Sequence, residues 1–252
     1  MKIFIYNQMK MKKLSLILIF IAMVANIFSQ NLPASDELTT SAGNVEMYFV
    51  GHGSLMFSIN NFVIHIDPVG SEGNYKDFPK ADLILVTHEH YDHLDPEVIN
   101  LLRKNETITF CNAGSASKVS WAQVMKPGDI RKVNNITIEA IQAYNIVNER
   151  AKGQPFHPKG VGNGYIITIG DKRILVAGDT ENTPEIKSLK NIDVAFLPMN
   201  LPYTMTPAMV ADAAKAFKPK ILYPYHYGDT NTDELVRLLK GTGIEVRIRN
   251  LK

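Results

Sequence analysis

Among 252 residues there is one cysteine, Cys111. A single thiol cannot close an internal disulfide, so the fold must be held by its core rather than by covalent staples. Cys111 lies in the apolar stretch Ile108-Thr109-Phe110-Cys111 and reads as a small buried filler. Long apolar runs are also missing. The longest, Leu14–Phe28, covers about 15 residues against the roughly 20 that a spanning helix needs. Net charge is small as well. The formal value is +2, but Lys2, Lys10, Lys12 and Lys13 fall in a first segment without acids, which leaves 23 basic against 25 acidic residues in the rest. A near-neutral body offers no polycationic face, so nucleic acid is not an expected partner.

The apolar run does have a use. Lys10, Lys12 and Lys13 precede it and Ser29-Gln30 follow it, the layout of a secretory signal peptide over residues 1–29. Met11 offers a second, more compact start. An uncleaved anchor is the alternative, and Ile27 and Ser29 make an imperfect cleavage site. No cysteine follows the run, which argues against a lipoprotein. The expectation is a periplasmic or secreted protein with no stable membrane span in its mature form.

Residues 30–44 are polar and turn-prone and read as a linker, with one domain over residues 45–252. Short strand-like runs open that domain at Val45–Val50, Leu55–Ile59 and Phe62–Ile66, the last two joined by the hairpin signal Asn60-Asn61. Ala81–Val86 is almost continuously apolar, as in a strand covered on both faces. Helices are expected at Pro96–Arg103 and Gly114–Gln123. The second half repeats the pattern. Its expected strands are Ile136–Ala143, Gly164–Ile169, Arg173–Val176, Asp193–Leu197, Ile221–Tyr225 and Ile244–Ile248. Its expected helices are Pro184–Leu189, Pro207–Phe217 and Thr232–Leu239, with Thr206 and Pro207 as N-cap and first helical residue. Two similar halves of strands and helices predict an α/β protein with two packed sheets and helices outside.

Three of the seven histidines fall in Thr87-His88-Glu89-His90-Tyr91-Asp92-His93, directly after the buried strand. Side chains at a strand end converge at little conformational cost. In an extended loop His88 and His90 project to one side, while Asp92 and His93 turn toward a neighbouring position. Imidazoles and a carboxylate addressing two adjacent positions suit divalent metal, zinc above all. The zincin helix motif His-Glu-x-x-His is excluded, because Asp92 stands where its second histidine belongs.

The pattern His-x-His-x-Asp-His after an apolar strand resembles the signature of the metallo-β-lactamase superfamily. Gly51-His52-Gly53-Ser54, Ile66-Asp67-Pro68, Ala143-Tyr144-Asn145, Phe156-His157-Pro158-Lys159-Gly160, Ala177-Gly178-Asp179-Thr180 and Tyr223-Pro224-Tyr225-His226-Tyr227 extend the likeness. In order and spacing they resemble the lactonase-like branch of metal-dependent hydrolases, which is similar to ascorbate-phosphate lactonases and to the phospholipase D acting on N-acylphosphatidylethanolamine. The resemblance implies a four-layer αββα sandwich. It also implies metal ligands: His157 beside His88 and His90, His226 beside Asp92 and His93, and Asp179 bridging both ions. His157 lies in a glycine-rich stretch and an ordinary loop role stays open for it.

Two divalent ions are therefore expected, zinc first and manganese as the alternative, since two carboxylates accompany five imidazoles. Such a pair lowers the pKa of a bridging water to near 7, and the resulting hydroxide would attack an ester, lactone or phosphodiester. Asp92 is the expected catalytic carboxylate. His52 either reaches the pocket or serves its glycine turn. His65, inside a strand, reads as a structural histidine. Asp67 is a candidate to orient one of the ligand histidines. The lone Cys111 and the presence of His90 set this chain apart from zinc β-lactamases with a cysteine ligand and from oxygen-reducing di-iron flavoproteins. A small-molecule or lipid-like substrate is expected. The alternative is a non-catalytic metal-binding or partner-binding protein on the same fold.

Overall fold

The computed structural model describes residues 32–252, and the segment read as a signal peptide lies outside the described residues. Seven strands in chain order make the first sheet. They are β1 (Ser35–Thr40), β2 (Gly43–Gly51), β3 (Ser54–Ile59), β4 (Phe62–Ile66), β5 (Leu83–Leu85), β6 (Ile108–Cys111) and β7 (Gln123–Val124). β1 to β4 run antiparallel, and β4 to β7 run parallel. Helices α1 (Pro96–Leu102) and α2 (Ala113–Ala116) fill the crossovers.

The second half starts with β8 (Ile130–Val133) and β9 (Ile136–Ala143), then a two-stranded hairpin of β10 (Glu149–Ala151) and β11 (Gln154–Pro155). β12 (Gly162–Ile169) and β13 (Lys172–Val176) follow, then α3 (Pro184–Ser188), β14 (Val194–Pro198), α4 (Pro207–Phe217), β15 (Ile221–Tyr225), α5 (Thr232–Leu239) and β16 (Glu245–Val246). The second sheet has the order β8-β9-β12-β13-β14-β15-β16. It is antiparallel up to β13 and parallel beyond. Each sheet is thus half meander and half parallel crossover.

The two sheets face each other across one core. Phe49 and Phe57 of the first sheet meet Tyr223 and Phe196 of the second, with ring centroids 5.2 and 6.0 Å apart. β2 shows why such a strand forms. Val45, Met47 and Phe49 alternate inward while Glu46 and Tyr48 stay half-exposed, the period of a sheet with one buried face. A second, smaller cluster of Ile84, Val86, Val98, Ile99 and Leu102 packs α1 on the outer face of the first sheet. On the far side, α4 buries Val210, Ala211, Ala214 and Phe217, a helical stripe. Thr206 caps it by accepting from Met209 N, with Pro207 in the first turn. The layers are helix, sheet, sheet, helix, as the resemblance implied.

Two sequence expectations need correction. The stretch read as a linker contains β1, which pairs along its whole length with β2, Leu38 opposite Val45. Only Leu38 and Thr40 of β1 are buried, so an edge strand with one wet face looks polar in sequence. Its Asp36 is held by Arg249, whose Nη2 lies 2.7 and 2.6 Å from the two carboxylate oxygens. The helix expected over Gly114–Gln123 stops at Ala116, and Gln123 already belongs to β7. Gly114, Ser115, Ser117 and Ser120 give it little helical propensity. The Asn60-Asn61 turn forms as expected, with φ of 48° and 64° suited to a two-residue hairpin.

Candidate metal centre

The C-terminal ends of parallel strands from both sheets open toward one place. Asp67 follows β4, His88 to His93 follow β5, Asp179 follows β13 and His226 follows β15. The loop after β5 does not stay extended as its sequence suggested. Backbone N–H groups of His93 and Leu94 donate to His90 O, at 3.0 and 2.9 Å, and close a tight turn. That turn places Asp92 and His93 in a different group of donor atoms from His88 and His90, and so divides one loop between two positions.

Backbone strain supplies other side chains. His52, Asp67 and His226 have φ of 48°, 43° and 49°, a left-handed conformation that costs about 1–3 kcal/mol for such residues. The cost is tolerated where surrounding structure fixes the chain, here the β2–β3 turn and the ends of β4 and β15. Glycine has two specific duties. Gly178 has φ of 64°, and a Cβ there would lie 2.6 Å from Asn163 O, so only glycine lets the chain swing Asp179 inward. At Gly53 a Cβ would meet His93 Cε1 at 2.7 Å.

Two groups of ligand atoms result. In each, the donor atoms lie within 4.8 Å of one another. The first is His88, His90, His157 and Asp179; the second is His52, Asp92, His93 and His226. Asp179 sits between them. Its Oδ2 is 3.1 Å from His157 Nε2, 3.8 Å from His88 Nε2 and 3.5 Å from His226 Nε2, and its Oδ1 is 3.4 Å from His93 Nε2. The structure therefore brings together all seven residues predicted as ligands, and His52 with them.

The outward nitrogens of His93, His157, His88 and His52 are anchored, whereas His226 Nδ1 has no partner among the described residues. His93 Nδ1 lies 2.8 Å from Asp67 Oδ2, so Asp67 orients His93, the assignment the sequence left open. Thr87 donates twice to the same carboxylate, from N and Oγ1, both at 2.7 Å. His157 Nδ1 lies 2.8 Å from Asn145 Oδ1, and His88 Nδ1 lies 3.0 Å from Thr87 Oγ1. His52 Nδ1 lies 2.9 Å from the carbonyl oxygen of Lys252. This is the arrangement by which metal-ligating imidazoles are usually held, one nitrogen tied and the other free.

The inward atoms, by contrast, lack partners. His93 Nε2, His157 Nε2, His226 Nε2 and Asp179 Oδ1 are buried without a hydrogen bond. Orphaned buried polar atoms are costly, and four of them turned to one centre fit cations there. His88 Nε2 and His90 Nδ1 approach to 3.0 Å, a contact of two ring nitrogens that a shared cation would satisfy. Charge agrees. Burial works against protonation of His93, yet Asp179 and Asp67 outweigh it and hold its pKa well above the ordinary value. Without a cation, His93 itself therefore carries a positive charge that a bound ion would replace by displacing its proton. Burial likewise opposes ionisation of Asp179, and His226 and His93 overcome it to keep the carboxyl well below the usual range. Asp92 is lowered in the same way by His226 and His52. Burial, reinforced by His93, pushes His88 well below its ordinary value, which leaves a neutral imidazole of the kind a metal needs.

A cavity of about 790 Å³ opens above the two groups. His52, His90, Asp92, His157, Asp179 and His226 form its floor, with Arg150, Phe156, Tyr203, Tyr91 and Lys118 on its walls. Sequence reading quoted Tyr91, Asn145 and Phe156 only as motif members, without a role, and passed over Arg150, Tyr203, Lys118 and Glu181. They come from separate loops and have no spacing signal. His65 stands apart, buried in β4 with Nε2 3.1 Å from Pro79 O, as a structural histidine should.

Comparison with known proteins agrees with this geometry. A profile described as a beta-lactamase superfamily domain matches residues 46–226. A UPF0173 metal-dependent hydrolase of Anoxybacillus flavithermus is 27% identical over 220 residues, covering 81% of this chain and 97% of that protein. Another, from Bacillus thuringiensis subsp. konkukian, is 31% identical over 198 residues, 73% of this chain and 86% of the relative. A crystal structure from Parabacteroides distasonis, provisionally named a metal-dependent hydrolase, superposes with a TM-score of 0.83 at 48% identity, covering 87% of this chain and 99% of that one. The metallo hydrolase Igni18 of Ignicoccus hospitalis shares the fold, with a TM-score of 0.68 at 22% identity over 82% of this chain and 95% of its own.

Proposed function

This chain belongs to the metallo-β-lactamase superfamily, and from that membership we propose that it is a dinuclear metal-dependent hydrolase acting on an ester, lactone or phosphodiester. The observation that carries the reading is the pair of adjacent ligand groups with Asp179 lying between their histidines, and with buried nitrogens turned inward and unpartnered. Five histidines and two aspartates suit zinc, with manganese the alternative for a site this rich in carboxylate. Ions bound there would supply Lewis acidity for developing negative charge and lower the pKa of water to near 7.

The chain's own residues do the rest. Asp92 Oδ2 lies 3.3 Å from His52 Nε2 and 3.5 Å from His226 Nε2, and its side chain is 28% exposed at the pocket floor. It is the acceptor that orients attacking water and takes its proton. His52, turned by the Lys252 carbonyl, holds Asp92 from the other side. Phe156 and Tyr203, ring centroids 5.2 Å apart, form an apolar wall for a small or lipid-like substrate. Arg150 Nη2 is fixed on Phe156 O at 3.2 Å and leaves other N–H groups for a polar part of that substrate. No helix among the described residues is long and apolar enough to cross a membrane.

Metal analysis of gently purified protein tests the reading and should find close to two equivalents. Hydrolysis of 4-nitrophenyl acetate and bis(4-nitrophenyl) phosphate, before and after chelation, then separates carbon from phosphorus chemistry. Metal without turnover on a broad ester and phosphodiester panel would favour the non-catalytic alternative. Export belongs to the same proposal and is supported by the basic-then-apolar segment ahead of Gln30. N-terminal sequencing of protein from its host should find a start near Gln30, and an intact Leu14–Phe28 on soluble cytoplasmic protein would refute it.

A further inference from the structure

Two residues after Asp179, the side chain of Glu181 is fully buried and meets no cation among the described residues. Its Oε2 accepts from the backbone N–H groups of Ile146 and Val147, at 2.8 and 2.7 Å. Its Oε1 accepts from Asn148 N at 2.8 Å and from Asn145 Nδ2 at 3.0 Å. Four donors on one buried carboxylate wrap the 145–148 loop around it. Burying a carboxylate is expensive, and wrapping a loop alone could be done by a neutral acceptor.

The fourth donor explains the expense. Asn145 Nδ2 faces two acceptors, Glu181 Oε1 and the carbonyl of Tyr203 at 2.9 Å. An amide whose NH2 is claimed twice cannot flip, so its oxygen must face the other way. That oxygen accepts from His157 N and lies against His157 Nδ1, both at 2.8 Å. An oxygen at that position requires the proton on Nδ1, so the neutral ring carries its lone pair on Nε2. Nε2 is the atom that points at Asp179 Oδ2, 3.1 Å away. The order of influence is carboxylate, amide, imidazole tautomer, ligand atom.

We propose that Glu181 is a positioning residue of the first metal group, acting through Asn145 to fix the Nδ1–H tautomer of His157 and present Nε2 as a ligand. The inference rests on His157 being a ligand, as in the proposed function. Thr180 secures the relay, since its Oγ1 accepts from Tyr144 N at 3.1 Å and its own strand end is buried. A Gln at 181 can offer Asn145 an NH2 where an oxygen stood, which frees the amide to turn its nitrogen toward His157.

The test uses the whole protein with zinc as the probe. Zinc affinity and stoichiometry are measured by competition with a chromogenic chelator, on folded protein, for wild type, Glu181→Gln, Asn145→Leu and His157→Ala. Loss of an outer partner of a ligand histidine weakens metal binding about 10- to 100-fold. Glu181→Gln and Asn145→Leu should therefore each weaken one of two zinc ions by that factor and leave the other unchanged. Nitrogen-15 correlation spectra of the zinc-free protein should show His157 as the Nδ1–H tautomer in wild type and as a mixture in Glu181→Gln. A merely structural Glu181 would lower thermal stability but move neither readout. Asn145→Leu keeps the question open to refutation if Glu181→Gln does not fold. Should His157→Ala lose one zinc while both other variants bind two normally, this inference fails and the proposed function stands. Two tight zinc ions in His157→Ala would instead remove the ligand assignment on which the inference rests.

Discussion

The two ligand groups are built from similar residues yet held in different ways. The first, His88, His90, His157 and Asp179, depends on side-chain relays, with Asn145 and Glu181 reaching it from a loop outside either sheet. The second, His52, Asp92, His93 and His226, rests on strained backbone at strand ends and on the buried pair of Asp67 with His93. Exposure differs too. His52 and Asp92 have side chains 18% and 28% exposed, while His93 and His226 are buried. The second group thus opens to the pocket through two partly exposed side chains and the first through one, His90, its other members being buried. The contrast teaches that chemically similar clusters can be delivered in two ways, by side-chain relays from outside the sheets or by strained backbone at strand ends.

The strongest way to break that contrast is Asp179→Asn, which weakens the one carboxylate that lies within 4 Å of histidines from both groups. It should drop zinc below one equivalent and reduce hydrolysis by about 10³-fold or more, read by metal analysis and steady-state kinetics. Asp92→Ala comes next. With its side chain partly exposed, its loss should change stability by only about 0.5 kcal/mol in the zinc-free protein. Turnover should nevertheless fall by about 10²- to 10³-fold, and full activity would remove Asp92 from the mechanism.

Asp67→Asn sharpens the comparison, since the only ligand histidine it contacts directly is His93 of the second group. Zinc affinity there should weaken about 10- to 100-fold with the first group intact, alongside a loss of about 1.5–3 kcal/mol measured by urea unfolding. His52→Ala is expected to do less, because its ring contacts Asp92 without being among the seven predicted ligands. A pocket role lowers turnover per folded molecule about 10-fold or more, whereas a turn role lowers stability and leaves that turnover unchanged.

The smallest effect on turnover belongs to the histidine in neither group. Burial lowers the pKa of His65 to about 4, so the unfolded chain binds a proton in acid that the folded chain refuses. Stability from this residue is complete above about pH 6.5 and is lost as pH falls toward 4, by at most about 3 kcal/mol. Unfolding midpoints for wild type and His65→Gln, followed from pH 7 to 4, should converge as pH falls, with activity at pH 7 little changed. Parallel curves would mean that His65 does not carry the proton.

The amino-acid sequence by itself determined which residues gather at the candidate centre and most of the elements. Hydrophobic periodicity is local, so β9, β15, α4 and α5 fall where their patterns end, and histidine-rich loops after apolar strands announce themselves. β1 escaped because an edge strand with one wet face loses its alternation, and the helix near residue 114 was overstated because serine-rich segments follow tertiary context. What only the tertiary structure decided is which atoms meet. Asp67 on His93, Lys252 O on His52, and Glu181 on Asn145 join residues distant along the chain or separated by loops without regular period. Positive φ at His52, Asp67 and His226 likewise leaves no trace in residue type, because surrounding packing stabilises a conformation those residues disfavour alone. Ligand identity is written in residue chemistry, whereas ligand orientation depends on hydrogen bonds that exist only once the two sheets have closed on each other.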